Sequence, residues 1–87
     1  MSTIWKYTLE PGRNELSMPV GAQVLAVQMQ AEYPSMWAFV EPTEDKETRV
    51  FHVYGTGHIL PLDPGRYVGT FQMNYGALVW HVFEGKT

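Results

Sequence analysis

The feature that most limits what this chain can fold into is its punctuation. Six prolines and eight glycines are spread along 87 residues. Proline fixes φ and lacks a backbone donor, and glycine opens conformations closed to other residues, so neither continues a helix well. The runs left between them sustain no 3.6-residue apolar period. They are instead short and rich in β-branched and aromatic residues, which suit a pleated, half-buried surface. The sequence therefore predicts an all-β chain with little or no helix.

The breakers divide it into about six or seven runs. Ile4 to Leu9 ends at Glu10-Pro11-Gly12, and a short run from Asn14 to Met18 stops at Pro19. Val24 to Gln30 alternates, with Leu25, Val27 and Met29 on one face and Gln28 and Gln30 on the other. Met36 to Val40 follows the turn-like Glu32-Tyr33-Pro34-Ser35, and Thr48 to Tyr54 follows the polar segment from Pro42 to Glu47. These three runs read as a meander, because antiparallel neighbours need only short links. The Gly- and Pro-rich break from Gly55 to Gly65 is expected to carry the chain between sheets. Tyr67 to Met73 and Ala77 to Phe83 form a hairpin around Asn74-Tyr75-Gly76, with glycine where a left-handed conformation is needed. A small antiparallel sandwich or a compact barrel, one domain over 1–87, accommodates this pattern.

A chain this short buries only about 60% of the surface it exposes when unfolded, and small domains often add disulfides, a metal or a subunit interface. Cysteine is absent, which removes disulfides and cysteine-based zinc sites. Packing and oligomerisation remain. Two runs point to the second: Met36 to Val40 and Ala77 to Phe83 carry apolar side chains in both alternating sets, so both faces need cover. Trp37, Phe39, Trp80 and Val82 are the expected contacts of a homo-oligomer; the alternative is that Trp80 and Trp37 pack under the Gly55 to Gly65 segment.

The formal net charge of -3, with six Lys and Arg, argues against nucleic acid as a partner. No basic segment with an apolar stretch opens the chain, and no apolar run is long enough for a membrane helix. A soluble cytoplasmic protein is expected.

Chemistry-bearing signals are sparse. Gly55-Thr56-Gly57-His58 lacks the lysine and following helix of a phosphate-binding loop and reads first as a turn. His52, His58 and His81 lack the spacing of a local metal motif, so neither a metal nor a cofactor is predicted. Ser2, Ser17 and Ser35 show no nucleophile motif. The acidic cluster Glu41, Glu44, Asp45 and Glu47 surrounds Lys46 and reads as a solvated loop. If the long break binds a ligand, Thr56, His58 and Asp63 are its side chains, with Tyr54 beside it and Arg66 or Arg49 to meet a negative charge. The many Trp and Tyr residues offer stacking faces with polar handles.

Several segments also match in order across nearly the whole chain: Ile4-Trp5-Lys6-Tyr7; Met18-Pro19-x-Gly21-Ala22 followed by Val24-Leu25-Ala26-Val27-Gln28; Trp37-Ala38-x-Val40; Tyr54-Gly55-Thr56-Gly57-His58; Tyr67-Val68-Gly69-Thr70-Phe71; and Leu78-Val79-Trp80-His81-Val82-Phe83. Together they resemble a family of small uncharacterised proteins of bacteriophages and prophages. The resemblance implies no active site. It implies action in the host cell cytoplasm, as a non-enzymatic binding protein that blocks a host factor or sequesters a small, nucleotide-like anionic ligand. Two alternatives stand beside this: a self-assembling virion accessory protein, and a small nucleotide- or phosphoester-acting enzyme with His58 and Asp63 as acid and base.

Overall fold

A computed structural model describes residues 1–86. It is all-β, with seven antiparallel strands: β1 (Thr3–Thr8), β2 (Gly12–Pro19), β3 (Gln23–Gln30), β4 (Tyr33–Val40), β5 (Lys46–Gly55), β6 (Arg66–Met73) and β7 (Leu78–Gly85). They form a three-stranded sheet ordered β1-β4-β3 and a four-stranded sheet ordered β2-β5-β7-β6. The shortest principal extent is 15 Å, which suits two sheets about 10 Å apart.

Alternation fills the space between the sheets. Met36, Ala38 and Val40 of β4 face Phe51 and Val53 of β5, Val82 of β7, Phe71 of β6 and Met18 of β2, with Leu9 and Ala22 completing the core. Fully burying a side chain the size of Phe51 stabilises by about 1.5–3 kcal/mol. The sheets meet most closely along β3 and β6. Gly69 makes this possible, since a Cβ there would collide with Val27 Cγ2.

On the opposite seam the turn between β1 and β2 is clamped by Asn14, which is buried. Its Oδ1 accepts from Glu10 N at 2.8 Å. Its Nδ2 donates to the carbonyls of Glu10, Gly12 and Phe51 at 2.9, 3.1 and 3.3 Å. The side chain thereby supplies partners for a turn whose backbone would otherwise lack them.

Four sequence expectations need correction. The three middle runs do not form one meander: β3 and β4 are neighbours, but β5 belongs to the other sheet. Conversely, the long break joins β5 to β6 within one sheet, passing β7, which lies between them. In β3 a bulge between Val24 and Ala26 shifts the register. Val24 therefore joins Val27 and Met29 against the core, and Leu25 is left 52% exposed. Finally, β4 begins at Tyr33 and includes Pro34, although it is the central strand. Proline fits because β1 pairing ends at Thr8↔Ser35, and the Pro34 carbonyl accepts from Leu9 N at 2.9 Å. A strand residue points its N and O to the same side, so the missing donor faces the side where the ladder has ended.

The β6–β7 hairpin is present with a longer link than expected, 74–77, in which Asn74, Tyr75 and Gly76 all have positive φ.

Candidate functional site

The register of the larger sheet gathers one side-chain set on its outer face. Tyr54 lies opposite His81, His52 opposite Phe83, Tyr67 opposite Phe83 and Thr70 opposite His81. Their alternates, Val53, Val82 and Phe71, are buried in the core. Period-two geometry thus puts His52, Tyr54, His81, Phe83, Tyr67 and Thr70 on the face turned away from the smaller sheet.

The rings form a continuous patch across three strands. His52 stacks on Tyr54 with centroids 5.7 Å apart. Phe83 meets Tyr54 edge-on at 6.0 Å and Tyr67 edge-on at 5.6 Å. Such offset and edge-to-face contacts are the favoured ways for aromatic rings to meet.

A hydrogen-bond chain runs beside the rings. Thr56 Oγ1 lies 3.2 Å from the Val79 carbonyl and 2.7 Å from His81 Nε2. Thr70 Oγ1 lies 3.1 Å from His81 Nδ1 and 2.6 Å from the Tyr67 hydroxyl. A neutral imidazole donates from one ring nitrogen and accepts at the other, so the tautomer of His81 sets the direction of the whole chain. When Thr56 gives its hydrogen to Val79, Nε2 donates to Thr56, Thr70 donates to Nδ1 and the Tyr67 hydroxyl donates to Thr70. In the other tautomer these last three bonds reverse.

A different polar cluster occupies the far end of β5 and β7. Arg49 donates to both carboxylate oxygens of Glu84, from Nε at 2.7 Å and Nη2 at 2.8 Å, and to the Ala22 carbonyl at 2.6 Å. Arg66 adds a bond to Glu84 Oε1 at 3.0 Å and is 72% exposed. Hydrogen bonding from Arg49 holds the Glu84 carboxyl below the usual carboxylate range, and its counterpart from Glu84 raises Arg49. Gly65 lies against this end at φ 93°, where a Cβ would collide with the Glu84 carbonyl. The adjoining open cavity, about 710 Å³, is lined by Arg49, Arg66 and Asp63 together with Glu47 and Lys86.

The residues singled out from sequence are therefore divided. Tyr54 and Thr56 belong to the outer aromatic face. His58 sits at the same end of β5, its Nδ1 accepting from Gly55 N at 3.1 Å and its ring edge-on to Trp80 at 5.7 Å. Asp63 accepts from Gly65 N at 3.1 Å and lies with Arg66 and Arg49 at the other end. His58 and Asp63 line different cavities and are not brought together as an acid/base pair. Of the expected subunit contacts, Trp37 and Phe39 point away from the core on the smaller sheet, with Phe39 44% exposed. Val82 requires correction: it is wholly buried and cannot meet a second subunit. Trp80 packs against the core on the same set but is partly exposed and lines an open groove with His58 and Leu78. Among the described residues, no group of His, Asp and Glu is placed to hold a metal ion. Nor is any helix long and apolar enough to cross a membrane.

Sequence reading missed Tyr67, Thr70, Phe83 and Glu84 as site residues. Alternation in β7 already places His81 and Phe83 on one side. Nothing local links either to Tyr67 or Thr70, whose positions depend on the bulge between Tyr67 and Gly69.

A family described as a domain of unknown function, DUF7352, matches residues 1–87. No curated protein and no solved structure matches the chain.

Proposed function

From a chain that belongs to the DUF7352 family along its whole length, we propose a non-enzymatic, phage-type binding protein that holds a planar, nucleotide-like ligand on the outer face of its larger sheet. The observation that carries this reading is the joined patch of His52, Tyr54, Phe83 and Tyr67 beside the hydrogen-bond chain that links Tyr67, Thr70, His81 and Thr56. Ring faces supply stacking that tolerates many heterocycles, and the phenol oxygen and imidazole edge supply orientation. Arg66, next to Tyr67 in the chain, pairs with Glu84 on the opposite side-chain set, so the ring patch itself offers stacking and hydrogen bonds rather than a cation. A longer nucleic acid fits less well, because the patch carries no row of cations to follow a phosphate backbone.

Acting in a host cell, such a protein would withdraw a small signal by occupying it. Native mass spectrometry of the chain purified from bacterial cells is the test. A retained adduct of nucleotide mass, lost in Tyr67→Ala, is the expected result. A bare chain whose Tyr67 and His81 NMR signals do not move with a panel of mononucleotides would sink the proposal.

A second reading, a self-assembling accessory protein of the virion, is favoured by a separate observation. On the smaller sheet Ile4 lies opposite Phe39, and both are largely exposed on the outer face. Self-association is compatible with either reading, and loss of sedimenting assemblies in Phe39→Glu, with ligand binding intact, would assign that face to assembly.

A further inference from the structure

The register of the larger sheet carries the row of Tyr67, Phe83 and His52 one strand further, onto β2. Arg13 lies opposite His52, as His52 lies opposite Phe83 and Phe83 opposite Tyr67. Directly opposite residues of an antiparallel pair share a face, with Cβ atoms about 4.5–5.5 Å apart. Asn14 between them is buried, so Arg13 and Glu15 stand on the outer face with the rings. His52 is held there by its stack on Tyr54 and by the bare backbone of Gly85, where a Cβ would come within 3.3 Å of the imidazole Cδ2.

Arg13 differs from the other arginines in what it has left to give. Arg49 spends Nε, Nη1 and Nη2 on Glu84 and Ala22, and Arg66 turns to Glu84 on the inner set. Arg13 donates to Glu15 through Nη1. Among the described residues its Nε and Nη2 have no protein partner. That edge of a guanidinium is one that grips a phosphate with two parallel bonds. Both ring nitrogens of the neighbouring His52 are likewise without a protein partner among the described residues. The pair with Glu15 does not close the site. Its two side chains are 54% and 56% exposed, and an ion pair in solvent holds weakly enough to yield to a better acceptor.

We propose that Arg13 and His52 take the phosphate of a ligand whose heterocycle lies on Tyr54, Phe83 and Tyr67, which makes that ligand a phosphorylated nucleoside rather than a free base or nucleoside. This placement rests on the stacking reading above and adds to it where the charge lies. His52 and Tyr67 are two strand spacings apart, roughly 10 Å, the length of an extended mononucleotide. The full chain is titrated with adenosine and with adenosine 5′-monophosphate, followed by the NMR signals of Tyr67 and His81. The monophosphate should bind at least about tenfold more tightly, the increment of one charge-assisted hydrogen bond. Arg13→Gln should bring the monophosphate down to the affinity of the nucleoside. Glu15→Gln frees the guanidinium and removes a like charge from beside the phosphate, so it should widen the ratio. Both side chains are exposed, and both variants should keep the native β-sheet circular dichroism. A ratio near one in the native chain, or one that survives Arg13→Gln, would overturn the placement of the phosphate and leave the stacking site standing. Failure of both compounds to move Tyr67 or His81 would overturn the stacking reading and this placement together.

Discussion

Strands β5 and β7 carry two polar clusters, and they differ in what they spend their hydrogen bonds on. At one end Arg49 and Glu84 face inward, are largely covered and satisfy each other with two charge-assisted bonds. Toward the other end His81 faces outward, its ring bonded to the hydroxyls of Thr56 and Thr70. The first cluster is closed: its geometry is complete within the chain, and removing either partner leaves a charge in a poor solvent. The second is open: it orients an imidazole and a phenol on a face where another molecule can reach them. A single pair of strands thus separates a group that holds the fold from one suited to recognition.

The sharpest way to break this comparison is Glu84→Gln. The substitution keeps the shape but leaves the Arg49 guanidinium without its counter-charge, and should cost about 2–4 kcal/mol. A urea titration would show a lower midpoint with unchanged slope. A loss under about 0.5 kcal/mol, the range of an ordinary surface substitution, would mean that the pair is not structural.

Acid titration gives a smaller, graded version of the same test. Because the Glu84 carboxyl is held below its ordinary value in the folded chain, its contribution is fully present above the unfolded carboxylate pKa. It is lost as pH falls through the depressed folded value. Stability of the native chain should therefore decline on acidification more steeply than that of Glu84→Gln. Parallel acid limbs for the two proteins would contradict the coupling.

These two clusters also show where the sequence stops being readable. Local pattern is enough for the all-β class, for the β6–β7 hairpin and for the alternation that puts His81 and Phe83 together. It cannot pair Arg49 with Glu84, 35 positions away, because a charged residue within a strand does not announce its partner. It also cannot foresee a bulge. One extra residue at Leu25 moves Val24 to the core side, and another between Tyr67 and Gly69 brings the Tyr67 hydroxyl to Thr70. The motif Gly55-Thr56-Gly57-His58 reads first as a turn, and a turn leaves β5 there. What the motif cannot show is where its side chains go: Thr56 reaches His81, while His58 meets Gly55 and Trp80.

The smallest expected effect sharpens the open side of the comparison. Thr70→Val removes a hydroxyl of nearly the same shape from an exposed position, so stability should change by no more than about 0.5–1.5 kcal/mol. The electronic consequence is larger than the energetic one. Thr70 bridges His81 Nδ1 and the Tyr67 hydroxyl, so its loss frees the imidazole from a constraint that selects one tautomer. Nitrogen NMR of His81 in the native chain, at a pH where the ring is neutral, should show one neutral tautomer alone. The variant should show signals averaged between the two neutral forms, and it should bind its planar ligand more weakly because the ring edge is no longer oriented. Unchanged nitrogen shifts would mean that Thr56 alone fixes the ring, placing the orienting power of the site on the β5–β7 side rather than across all three strands.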